Sequence, residues 1–193
     1  MPAGQSVQTT RRGEFRRIMR ALERNPALRA RTPVVFCEGD SWFSTPLAMN
    51  LLDWLVFATP EEEARGVPIV GQGGLFFRAE HSGDLALDIF KPRRFNDLMQ
   101  WYGGFDFDIA LLSAGGNDFV GAFLQETFAR QGRMTPTQAF DVVRTQTTRF
   151  DEVRNAYASA LAKMLAARPD TPILGHTYAY PLRIGVPADL TLA

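Results

Sequence analysis

The sequence predicts an α/β fold in which a parallel sheet carries helices on both faces. Three observations predict it. Short runs of strand-forming residues alternate with longer segments of helical periodicity. The strand runs are continuously apolar, as strands covered on both faces are. Glycine- and polar-rich segments follow the strand runs, at the carboxyl ends where such sheets bind ligands.

Residues 11–31 hold eight arginines against Glu14 and Glu23, with Phe15, Ile18, Met19 and Leu22 at helical spacing. This is a basic amphipathic helix whose narrow apolar stripe suits packing on a domain edge, with the arginines in water. Residues 1–32 are therefore expected to be this helix and a link, and residues 33–193 the α/β domain. The first strand is expected at residues 33–38, a continuous Val-Val-Phe-Cys run. Thr45 and Pro46 then suit an N-cap and first helical position for "LAMNLLDWLVFA". A second strand is expected at residues 67–70, followed by an irregular glycine-rich stretch. Helix is expected over residues 85–101, started, kinked or split by Pro92. A third strand is expected at 108–113 and a helix at 118–130. The longest helix falls within 137–168, where Val153, Tyr157, Ala160, Leu161, Met164 and Leu165 share one face. "ILGHTYAY" is the fourth strand expected.

Composition narrows the function classes. A formal net charge of zero argues against a protein that coats nucleic acid. The single cysteine, Cys37, cannot form an intramolecular disulfide. No secretory leader and no run long enough to span a membrane is seen, so a cytoplasmic location is expected. Two histidines and one cysteine, far apart, suggest no metal site, and "GQGG" places Phe76 where a dinucleotide loop needs its third glycine, so no cofactor is expected.

The candidate chemistry lies after three strands. "GDSW" at residues 39–42 places Ser41 at a strand tip, "SGD" at 82–84 offers the backbone N–H of Gly83, and "GGND" at 115–118 offers the side-chain amide of Asn117. A serine hydrolase needs a hydroxyl at such a tip and donors aimed at the oxyanion that forms.

In these three ordered blocks the sequence resembles the SGNH/GDSL hydrolases over about residues 33–181, and Trp42 with "GHTYAYP" resembles a bacterial subgroup with GDSW in place of GDSL. The resemblance implies a flavodoxin-like three-layer α/β/α sandwich of strand order 2-1-3-4-5. It implies that Ser41 is the nucleophile and one oxyanion N–H, that Gly83 and Asn117 are the other donors, and that Asp40, Gly115 and Asp118 support them. The family's base is a histidine in an Asp-x-x-His block after the fifth strand. This sequence has no such block, and the last strand and helix of the pattern are expected to be missing. His176, at the end of the fourth strand, is two strands from Ser41, an offset of about 10 Å; His81 belongs to the wall of the second loop. The function expected is a serine esterase or deacylase hydrolysing carboxylic esters, of a lipid, an acetylated sugar or a small molecule, through an acyl-enzyme on Ser41. The alternative is a non-catalytic acyl- or carbohydrate-binding module.

Overall fold

The computed structural model describes residues 6–45, 50–57 and 73–176. Its elements run β1 (Val7–Thr9), α1 (Arg12–Glu23), α2 (Pro26–Arg29), β2 (Val34–Gly39), α3 (Leu51–Val56), β3 (Leu75–Arg78), α4 (Ala86–Ile89), α5 (Pro92–Tyr102), β4 (Ile109–Ser113), a 3₁₀ turn (Asn117–Phe119), α6 (Ala122–Phe128), α7 (Pro136–Gln146), α8 (Arg149–Ala167) and β5 (Ile173–Gly175). The strands form one sheet of order β1-β3-β2-β4-β5 in which every neighbouring pair is parallel. The α/β fold expected from the sequence is the fold observed. From β3 to β5 the order matches the first four strands of the 2-1-3-4-5 pattern, with β1 added beyond β3.

Alternation along the strands builds the layers. Val34 and Phe36 of β2, Leu75 and Phe77 of β3, and Ala110 and Leu112 of β4 enter one core with Phe15, Met19 and Leu22 of α1, Leu98 of α5 and Met164 of α8. The intervening Val35, Cys37 and Phe76 enter a second core on the opposite face, with Leu52 and Val56 of α3. Successive side chains of a strand point to opposite faces, so a strand buried throughout, as β2 is, must be covered twice. The larger core is rich in aromatic rings: Phe15 lies 4.9 Å from Phe77 and 5.5 Å from Phe107, centroid to centroid.

Several expected elements differ in detail. The expectation of a helix and link over 1–32 omits β1, a three-residue polar strand that pairs with β3. The second strand expected at 67–70 lies outside the described residues; β3, which pairs with β2 on the side away from β4, falls inside the stretch read as irregular. Helix α3 is capped by Asn50, which accepts from the Asp53 N–H at 3.0 Å while the Asp53 carboxylate accepts from the Asn50 N–H at 3.2 Å, a reciprocal capping box; the helix start expected at Pro46 lies outside the described residues. Pro92 splits the 85–101 segment by opening α5. Gly121, at φ 59°, separates the 3₁₀ turn from α6 where one helix was expected, and Thr147 and Thr148 separate α7 from α8. Of the fourth strand, residues 173–175 are observed and 177–180 lie outside the described residues.

Candidate active site

Three strand ends meet at the carboxyl edge of the sheet, and backbone hydrogen bonds fix their spacing. The Asp40 N–H donates to the Ser113 carbonyl at 2.7 Å, joining the ends of β2 and β4, and the His81 N–H donates to the Gly39 carbonyl at 3.3 Å, joining the loop after β3 to β2. Gly39 is required by the first contact, because a Cβ there would stand 2.2 Å from the Ser113 carbonyl oxygen. The chain then turns sharply. The Phe43 N–H donates to the Asp40 carbonyl at 3.0 Å, and the Trp42 N–H donates to Asp40 Oδ1 at 3.1 Å. Ser41 is thereby held at the tip of the turn, partly exposed, between a buried aspartate and a half-exposed tryptophan. Thr45 closes the turn from the far side, its hydroxyl donating to the Ser41 carbonyl.

The second and third loops are bonded to each other. Gly83 has φ 85°, a conformation that favours glycine, and a Cβ built on it meets open space, so the backbone angle and not crowding selects the residue. Its neighbour Asp84 receives a forked pair of hydrogen bonds from Arg94 of α5, and the Asp84 carbonyl accepts from Asn117 Nδ2 at 3.0 Å. Asp118, buried beside Asn117, accepts from the N–H groups of Ala86 at 2.7 Å and Leu87 at 3.2 Å, so it caps the first turn of α4 and carries the loop after β3 with it. Burial raises the Asp118 carboxyl above its ordinary range, opposed by those two N–H donors. Gly115, at φ 115°, bends the chain between Ala114 and Asn117. Tyr157 of α8 holds the start of that bend from both sides: its hydroxyl donates to the Ala114 carbonyl at 2.7 Å and accepts from the Ala114 N–H at 3.0 Å.

The two histidines differ in placement. His81 is 75% exposed at its side chain and stands 3.7 Å from Asp84, on the outer wall of the second loop. His176 reaches the nucleophile turn: its ring lies 5.5 Å from Trp42 and 6.0 Å from Phe43, and Nε2 is 2.5 Å from Ser113 Oγ, which is itself 3.2 Å from Asp40 Oδ1. With Ser113 donating to Asp40, the imidazole donates Nε2–H to Ser113. The chain Asp40, Ser113, His176 thus ties β2, β4 and β5 together beneath Ser41. His176 and Ser41 line the same cavity, of about 670 Å³.

Below the site lies a buried ionic cluster. Glu38 is 2% exposed, with Oε1 3.1 Å from the Gly39 N–H and 3.6 Å from Arg94. Burial pushes its carboxyl well above the usual range, more than Arg94 pulls it back. Glu80, also buried, is bonded by Arg78, and burial raises its carboxyl too. Among the described residues no group of three metal-ligating side chains converges and no helix is long and apolar enough to cross a membrane.

Ser41, Gly83, Asn117, Asp40, Gly115, Asp118 and His176 all fall at this edge of the sheet. Sequence reasoning missed Ser113, Tyr157 and Arg94 as parts of the site, and Thr45 as a brace of the turn. The signal available was a tyrosine on an otherwise aliphatic helix stripe and an arginine at the third position of a proline-led helix.

The solved structures similar to this chain include an esterase of the SGNH-hydrolase family, AlinE4, at 15% identity and a TM-score of 0.36, covering 74% of this chain and 75% of that one. A point mutant of the same esterase matches at 16% identity and a TM-score of 0.35, covering 78% of this chain and 86% of that one. Likeness at this level assigns no activity to the chain. No family profile matches the sequence, and no curated protein matches it.

Proposed function

We propose that the chain is an SGNH-type serine hydrolase that cleaves carboxylic esters through an acyl-enzyme on Ser41. The observation that carries the reading is the convergence of Ser41, Gly83 and Asn117 on three adjacent strand ends bonded to one another. Ser41 Oγ adds to the ester carbonyl carbon, and the charge that develops on the carbonyl oxygen is met by the N–H groups of Ser41 and Gly83 and by the Asn117 amide. One Asn117 N–H is held by the Asp84 carbonyl, which orients the other. Collapse breaks the bond to the alcohol, which leaves with the serine proton, and water then releases the acid and restores Ser41.

His176 acts in this reading as a positioning residue, with Nε2 donated to Ser113 and its ring against Trp42. A nucleophile and an oxyanion hole alone retain about 10³–10⁴-fold of rate over water, so at least slow turnover of activated esters is expected. The test is hydrolysis of p-nitrophenyl acetate by the chain and by its Ser41→Ala and Asn117→Ala variants, with circular dichroism melts to verify folding. The reading predicts that Ser41→Ala removes the rate above background and that Asn117→Ala lowers kcat by about 10²-fold or more. A rate that survives Ser41→Ala would sink it, and a wild type with no rate above background would leave a binding module as the remaining reading.

A further inference from the structure

The cavity beside Ser41 has a lining that its neighbours in the fold do not require. Helix α3 buries Leu52 and Val56, one turn apart, in the second core. The opposite face of a surface helix is ordinarily polar. Here it carries Leu51, 38% exposed, and Trp54, 50% exposed, three residues apart, and both turn to the cavity. Trp42, 50% exposed, faces them from the nucleophile turn, and Ser41, Thr45 and His176 complete the wall.

Three polar groups in this wall are already engaged: the Thr45 hydroxyl donates to the Ser41 carbonyl, Asn50 at the rim spends its side-chain oxygen on the Asp53 N–H, and His176 Nε2 is bonded to Ser113. No acidic or basic side chain other than His176 lines the cavity among the described residues. At about 670 Å³ the cavity falls within the range of small-ligand sites, about 300–1,000 Å³. An acetyl group would leave most of it empty, and a sugar ring would find two indoles and a leucine but few partners for its hydroxyls.

We propose that this cavity receives an apolar group, aromatic or a medium-length alkyl chain, bonded directly to the scissile ester, with Trp54 as the residue that selects it. The proposal rests on the reading of Ser41 as the nucleophile and narrows it to esters of bulky apolar acids or alcohols rather than acetylated sugars.

Two ester series on the full chain test it: p-nitrophenyl acetate, butyrate and octanoate vary the acyl side, and ethyl, hexyl and benzyl acetate vary the alcohol side. In one series kcat/KM should rise with apolar size by about tenfold or more, since each buried methylene favours binding by a few-fold. Trp54→Ala should lower the rate on the larger ester about tenfold more than on the smallest. The series that responds identifies which half of the ester the cavity holds. A flat or falling profile in both series, faster turnover of an acetylated sugar, or equal loss on large and small esters in Trp54→Ala would overturn it. Binding separates this failure from failure of the nucleophile. Titrated into Ser41→Ala, octanoate and benzyl alcohol should include one ligand that quenches tryptophan fluorescence saturably, and Trp54→Ala should weaken that response. Absence of saturation with both ligands would overturn the cavity's assignment even in a protein that proves to be an esterase.

Discussion

Replacing Tyr157 by phenylalanine removes one oxygen and nothing else, and the structure sets what that oxygen does. It accepts from the Ala114 N–H at 3.0 Å and donates to the Ala114 carbonyl at 2.7 Å, and Ala114 is buried. Phenylalanine leaves both backbone groups against an aromatic ring. An unsatisfied buried donor or acceptor costs about 1–3 kcal/mol, so the pair should lose about 2–3 kcal/mol after partial relaxation. In a chain of this size that lowers Tm by about 4–12 °C. A separate observable, the burial of the same hydroxyl, comes from alkaline titration. Burial, the largest cause, pushes the Tyr157 phenol from 10.0 up to about 12. The folded state therefore holds a proton that the unfolded state has released, so this contribution is complete below pH 10 and is lost as pH rises to 12. Two pH units correspond to about 2.7 kcal/mol of alkaline destabilisation, the cost of burying the ionised phenol, which the Ala114 contact opposes. Urea unfolding followed by circular dichroism at pH 8, 10 and 11.5 should show the wild type more stable at pH 8 and the two proteins converging above pH 10. Equal stability at pH 8 would refute the argument that Tyr157 holds the Ala114 turn, and parallel stability curves would refute the burial of its hydroxyl.

Two further outcomes follow from the buried carboxylates. Asp118→Asn keeps the shape but gives one of the Ala86 and Leu87 N–H groups a donor to face; it should cost about 1–3 kcal/mol in urea unfolding and lower kcat toward activated esters more than it raises KM, because α4 carries the loop of Gly83. Glu38, whose carboxyl is raised by burial, contributes stability that is present in acid and lost as pH rises through its folded-state titration. Glu38→Gln should therefore raise Tm at pH 8 and change it less at pH 4.5, measured by scanning calorimetry; a larger gain in acid would contradict the sign.

What the sequence shows depends on whether a residue acts locally or through the fold. β2 is legible because Val34, Val35, Phe36 and Cys37 are apolar on both faces, which only a doubly covered strand needs. β3 is hidden because its Leu-Phe-Phe-Arg run sits among glycines and charges, and its strand character comes from pairing with β2 and β1. β1 is too short and too polar to carry any period; its register on β3 exists only in the folded sheet. The site shows the same division. Ser41, Gly83 and Asn117 stand in short blocks that read directly from the chain, because turns at strand ends demand specific residues. Arg94 reaches Asp84 across ten residues, and Tyr157 reaches Ala114 across forty-three. Their roles arise from packing, which no local pattern encodes. His176 lies two strands from Ser41, as expected from the strand order, yet it reaches the turn because Ser113 bridges the intervening strand.

The most direct measurement is covalent labelling with a fluorophosphonate, followed by peptide mass spectrometry. The account predicts one adduct per chain, on the hydroxyl of Ser41, absent from Ser41→Ala and slower to form in Asn117→Ala. An unlabelled chain at long incubation, or an adduct on another residue that persists in Ser41→Ala, would contradict it.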